Sequence, residues 1–193
     1  MRLDLIVGPN GAGKTTFVQR VLAPAYPASV FVNADEIAKQ RWPDDQVAHA
    51  YDAAVLAAQT RDELVSLGRP FIAETVFSHP SKLELIVSAR DRGYWVALHV
   101  IMVPVEVSVE RVCHRHEAGG HDVPEDKIRS RWPRVWGNVS EAGGLVHTAT
   151  CYDSTQWGRF AEIAVWADGT LASGPRWQTW APAVLSDRWP NPA

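Results

Sequence analysis

The chain has 193 residues, 46% of them hydrophobic and 21% charged, and a formal net charge of −3. That length is one domain's worth, the composition suffices for a packed core, and the acidic balance argues against a general nucleic-acid or membrane-surface binder, which is usually basic. Two cysteines without a framework, a start "MRLDLIVG" without a signal peptide, and an apolar run "WVALHVIMV" too short to span a bilayer lead us to expect a cytoplasmic protein with neither nucleic acid nor membrane as partner.

In chain order, the apolar run Leu3–Val7 predicts a strand. It leads into "GPNGAGKTT", a full match to G-x-x-x-x-G-K-[ST]. Glycines at such spacing let backbone N–H groups turn inward around an anion. Gly8, Pro9, Asn10, Gly11, Ala12, Gly13, Lys14, Thr15 and Thr16 are therefore the candidate nucleotide-binding residues. Lys14 is placed to reach the β- and γ-phosphates, and the Thr15 hydroxyl to ligate Mg²⁺. A helix over 14–23 follows, closed by Pro24 and Pro27.

Further strands are expected at Val30–Asn33, Pro70–Glu74, Tyr94–Val103 and about His147–Tyr152, with helices at 34–40, 44–67, 81–92, 105–117 and 124–140. Gly68 and Gly93 cap the third and fourth of the helices, and Pro133 is expected to end or kink the last. Strands alternating with helices are the signature of a parallel sheet covered on both faces, so the fold class is α/β, a three-layer P-loop NTPase fold. After Tyr152 the texture changes to a hairpin turning at Asp168-Gly169 and a Trp- and Pro-rich stretch, 174–193. Five of the nine tryptophans follow residue 155, and they are expected to staple an extension, 155–193, onto the domain formed by 1–154 rather than to stack bases.

The phosphate loop alone does not choose between trades. No "LSGGQ" or "NKxD" stretch accompanies it, which sets aside ABC-type ATPases and GTPases. A kinase needs a carboxylate near the γ-phosphate and arginines to hold the transferring charge. Asp35 and Glu36 follow the second strand, and Glu74 with Thr75 closes the third, where open α/β sheets place ligands. Asp35 reads equally as a helix N-cap or first-turn acid. Glu74 at a buried strand edge is better explained by function. Arg111 and Arg115 share a helix face, "GGHDVPED" interrupts, and Arg129, Arg131 and Arg134 follow. This describes either a lid at 111–134 or two solvated helices. His114 and His116 point to different sides of a helix and with His121 make no convincing zinc site.

The set "GPNGAGKTT", "FVNADEIA", "ETVFSHPSKLELI", "GGHDVPEDKIRSRW" and "YDST" resembles the zeta-toxin family of phosphate-loop kinases over about residues 3–154. The resemblance implies a layout similar to nucleoside monophosphate kinases. It also implies ATP- and Mg²⁺-dependent phosphorylation of a small-molecule hydroxyl, best known on UDP-N-acetylglucosamine, and an antitoxin protein as a candidate partner. By position it makes Asp35 the proton acceptor, Glu74 the acid beside substrate or a metal-bound water, and Arg115 and Arg131 the phosphate-binding lid arginines, with Arg111 and Arg129 as alternates. The family's arginine after the aspartate and its Gly-Arg pair after the glutamate are replaced here by "EIAKQ" and "TVFSH". The acceptor therefore stays open among a nucleotide sugar, an antibiotic hydroxyl and a dinucleotide ribose. A nucleotide-gated switch that phosphorylates nothing is the reading from another class.

Overall fold

The computed structural model describes residues 1–117 and 123–192. Strand β1 (Arg2–Val7) sits between β3 (Phe71–Thr75) and β4 (Trp95–Met102), with β2 (Val30–Val32) beyond β3 and β5 (Thr148–Asp153) beyond β4. These five strands pair in parallel; β6 (Ala161–Ala167) and β7 (Thr170–Ser173) continue the sheet antiparallel, so its order is β2-β3-β1-β4-β5-β6-β7. The chain steps to opposite sides of β1 for β3 and β4, which opens a crevice at the carboxyl ends of these strands.

Alternation along β1 divides the protein into layers. Leu3, Leu5 and Val7 pack on one face against α4 (Ala50–Ser66), α5 (Ser81–Asp91), α7 (Glu125–Ala142) and α8 (Ala183–Ser186). Ile6 faces the other side, against Phe17, Val18 and Leu22. This is the three-layer P-loop NTPase fold, with the β6–β7 hairpin turning at Asp168, whose φ of 46° is left-handed, and Gly169. Trp166 and Trp177 are buried in the main core, with Trp189 packed partly against it and meeting Trp166 edge-on at 5.0 Å.

Pro24 and Pro133 stand inside their helices rather than ending them, and one helix start is corrected. The helix after the phosphate loop runs through α1 (Lys14–Phe17), a π segment (Val18–Leu22) and α2 (Ala23–Ala25), passing Pro24. Pro24 stands in the first turn of α2, where a missing N–H costs least. The break comes at Tyr26 (φ −130°, ψ 63°), pushed out of helical angles by the following Pro27. Helix α7 continues through Pro133 to Ala142, because Val135, Trp136 and Val139 beyond it are buried while Pro133 itself is exposed. Residues 44–49 form turns, with Trp42 stacked on His49 at 4.6 Å, and α4 begins only at Ala50.

Beneath the first helix lies a polar knot. Asp4 is fully buried, accepts from Arg2 Nε (2.7 Å) and Nη2 (2.8 Å), and pairs with His99 Nε2 at 2.9 Å. Burial pushes the Asp4 carboxyl upward, but the hydrogen bonds and charges of His99 and Arg2 outweigh it and leave the group below its ordinary value. The stability it contributes is therefore full above the unfolded aspartate value of about 3.9 and is lost as pH falls through the lower folded value. Asp4→Asn is expected to destabilise the protein by on the order of 2 kcal/mol at pH 7. In denaturant titrations the gap from wild type should close below about pH 4. A gap that stays constant from pH 7 to pH 2 would mean that the charge of Asp4 is irrelevant.

Candidate active site

The loop from Gly8 to Gly13 leaves β1 and re-enters the chain as a helix at Lys14. Gly8 has φ +146° and a Cβ there would run into the Ile101 carbonyl, while at Gly11 (φ +73°) it would lie 2.8 Å from Ser108 O, so the loop is threaded where only glycine passes. Gly8, Pro9 and Ala12 are buried beneath the surface. Asn10, Gly11, Gly13, Lys14, Thr15 and Thr16 line an open cleft of about 830 Å³. Lys14 is 7% exposed and donates from Nζ to Pro9 O at 2.9 Å.

Three strand ends meet at one carboxylate. Glu74, at the end of β3, accepts from Thr15 Oγ1 at 3.1 and 2.9 Å and from Asn33 Nδ2 at 2.8 Å. Asn33 Oδ1 in turn accepts from the backbone N–H of Asp35 at 2.7 Å and of Glu36 at 3.4 Å, capping α3 (Ala34–Arg41). Asn33 is thus the N-cap. Asp35 holds the first turn, exposed, with its side chain free of capping work and on the cleft wall. Thr75 and the segment through His79 line the cleft too. That segment is held by Asn138, which donates to Phe77 O at 2.8 Å, although Phe77 sits at the uncommon φ of 67°.

The arginines separate by position. Arg111 and Arg115, on α6 (Val105–Glu117), and Arg131, on α7, line the cleft. Arg111 donates from Nη2 to Ser154 O (2.8 Å) and Thr155 O (2.9 Å), tying α6 to the "YDST" turn. Arg129 instead forms a fork with both Glu106 oxygens at 2.7 Å and a bond to Glu125 at 2.7 Å, and Arg134 bonds Ser130 O, so neither reaches the cleft. Helices α6 and α7 share a small core of Val112, Val123 and Ile128, separate from the main one. The Gly119-Gly120 hinge and His121 lie outside the described residues. His114 is exposed beside Glu110 and Glu117.

The sequence matches the AAA domain family over residues 3–132, which takes in the phosphate loop, Asp35, Glu74 and the cleft arginines Arg61, Arg111, Arg115 and Arg131. The chain belongs to that family. No curated protein matches it. Among solved structures, the AvrRxo1-ORF1:-ORF2 complex with ATP aligns at TM-score 0.70 and 16% identity over 98% of this chain and 63% of the matched one, so this chain spans less than two thirds of that relative. The PezAT toxin–antitoxin system of Streptococcus pneumoniae aligns at 0.64 and 18% over 83% and 69% of the two chains. A gluconokinase from Sinorhizobium meliloti aligns at 0.53 and 19% over 81% and 85%. At such identities the likeness is one of fold.

Among the cleft residues that sequence reasoning passed over in this AAA domain, four stand out. Asn33 looked like a strand end and is both cap and ligand of Glu74. Arg61 and Lys82 carried no motif, yet both line the cleft. Trp157 was grouped with the stapling tryptophans but is 82% exposed on the cleft rim, its ring 5.1 Å from the Arg111 guanidinium. Asn33 directly after an apolar strand and two residues before acids was the one signal that capping rules could have caught.

Burial dominates the electrostatics. It lowers the Lys14 ammonium, with Glu74 and Asp35 pulling back and Arg115 adding to the fall. It raises the Glu74 carboxyl against the charge of Lys14 and the bonds from Thr15 and Asn33. A carboxyl raised on folding costs stability once ionised, so the ligand-free protein should lose stability as pH rises from the unfolded glutamate value of about 4.3 through the higher folded one. Glu74→Gln is expected to remove that loss and to raise Tm at pH 7 in the absence of ligands. Differential scanning calorimetry of both proteins between pH 4 and pH 8 checks this, and an unchanged or lower Tm for the variant would show that the carboxylate is held as a net stabilising group.

Proposed function

We propose that the protein is an ATP-dependent kinase of zeta-toxin type that transfers the γ-phosphate to a hydroxyl of a small molecule. The observation that carries this reading is the meeting, in one cleft, of a phosphate loop, an exposed carboxylate at Asp35 released from capping, and arginines from two helices. A switch needs the loop but has no use for the free acid. The structures of the AvrRxo1 complex with ATP and of PezAT share the fold, which supports the nucleotide and keeps an antitoxin-like partner in view.

Backbone N–H groups from Asn10 to Thr16 would hold the β- and γ-phosphates, with Lys14 between them as a fixed charge. The donors at this end, the Thr15 hydroxyl and the carboxylates of Glu74 and Asp35, are all oxygen and fit Mg²⁺. Thr15 would ligate the ion directly and Glu74 would orient its water. Bound there, Mg²⁺ would neutralise charge on the β- and γ-phosphates. Asp35 takes the acceptor hydroxyl's proton as that oxygen bonds to the γ-phosphorus and the bond from phosphorus to the β–γ bridging oxygen breaks, leaving ADP. Arg115 and Arg131 hold the charge that spreads over the transferring group. Arg111, already committed to two carbonyls, positions α6 and offers its face with Trp157 to the adenine side. UDP-N-acetylglucosamine is the first acceptor to try, with antibiotic hydroxyls and dinucleotide riboses next.

The test is transfer of phosphate from Mg·ATP to a metabolite panel, followed by mass spectrometry. Asp35→Asn should leave ATP affinity and Tm near wild type while phosphorylation falls about 10²- to 10⁴-fold, the range for a general base. Arg115→Ala and Arg131→Ala should depress kcat by on the order of 10³-fold with little change in KM for ATP. A wild-type protein that phosphorylates nothing, but whose ATP hydrolysis responds to a protein partner, would give the case to the switch. Full activity in Asp35→Asn would move the base elsewhere.

A further inference from the structure

The cleft has a second cationic cluster away from the phosphate loop in sequence, built from α4 and α5. Ala50, Ala54, Ala57 and Arg61, spaced to share one face of α4, all line the cleft. The alanines leave room above the helix, and the stripe ends in a charge. Arg61 is only 6% exposed, and among the described residues it has neither a hydrogen bond nor an ion pair. Asp62 is adjacent in the helix and points off that face, acting on Arg61 only through space. Lys82, from the first turn of α5, lines the same wall. Burial and then the charge of Arg61 push its ammonium downward while the more distant charge of Asp62 pulls back, so the two cations are near enough to repel each other.

An arginine with its stem buried, its guanidinium open only to the cleft and no carboxylate of the described residues within ion-pair distance is a costly arrangement, since largely buried charges are ordinarily paired. Two such cations facing one cavity describe a seat that is completed from outside. A carboxylate would neutralise one charge; a phosphoester brings up to two and matches the planar guanidinium fork. We propose that Arg61 and Lys82 bind the phosphate of the acceptor, so that the substrate is a hydroxyl compound already carrying a phosphoester, its body lying along the alanine face of α4 and its free hydroxyl turned to Asp35. The inference rests on the kinase reading for the word acceptor, but the anion seat stands on its own geometry.

The phosphate loop must be filled before the seat is probed. Protein saturated with Mg²⁺ and a non-hydrolysable ATP analogue is titrated with inorganic phosphate by calorimetry. Binding is expected, weakened about tenfold or more in Arg61→Gln and in Lys82→Gln, with analogue affinity unchanged. Arg61→Leu should raise the Tm of the ligand-free protein while abolishing phosphate binding; an arginine kept for structure would lower it. Should the Arg61 variants fail to fold, Lys82→Gln at its partly exposed position carries the binding test alone. In transfer assays with paired acceptors (ribose and ribose 5-phosphate, glycerol and glycerol 3-phosphate), any phosphorylation should favour the ester, and Lys82→Gln should erase that preference through KM. Phosphate that does not bind, or binds all variants alike, overturns the seat, as does transfer indifferent to the ester. Binding that depends on Arg61 together with no transfer to any acceptor would keep the seat and sink the kinase.

Discussion

The carboxylate of Glu74 joins the three chain segments that leave three neighbouring parallel strands. It accepts from Thr15 beyond β1 and from Asn33 beyond β2 while itself closing β3. Each partner has a second commitment: Thr15 belongs to the phosphate loop, and Asn33 caps the helix that displays Asp35. Moving any one of them disturbs the other two, so the relative placement of the phosphate loop, Glu74 and Asp35 follows from a single acceptor.

A different constraint governs the arginine-bearing helices. The main core does not hold the far end of α6 or the start of α7; they pack on each other through Val112, Val123 and Ile128 and are locked by the Arg129 fork onto Glu106. Arg111, midway along α6, ties that helix to Ser154 and Thr155, and Trp132 ties α7 to Val103 O at 3.2 Å.

The strands, the phosphate loop and the alternation that defines the fold were legible because each is a local pattern. Leu3 to Val7 is apolar apart from Asp4 and buried on both faces, as a central parallel strand must be, and the loop's glycines stand at the spacing of the motif itself. Pro133 misled because local propensity yields to the burial of Trp136 and Val139 beyond it. Asp35 could not be separated from a cap until Asn33 was seen to do that work. Arg61 was invisible for a more basic reason: an arginine eleven residues along from Ala50 reads as a solvated helix charge, and only the tertiary fold buries its stem and turns it to the cleft with no carboxylate of the described residues at ion-pair distance.

The overall charge of −3 concealed the same information. Among the described residues, seven cationic side chains and two carboxylates line the cleft, so their summed sign is opposite to that of the protein around them. A net charge describes a molecule seen from afar, at more than a Debye length of about 8 Å; a ligand entering a low-dielectric cleft meets the local set. The basic cleft suits small anions that fit wholly within about 830 Å³.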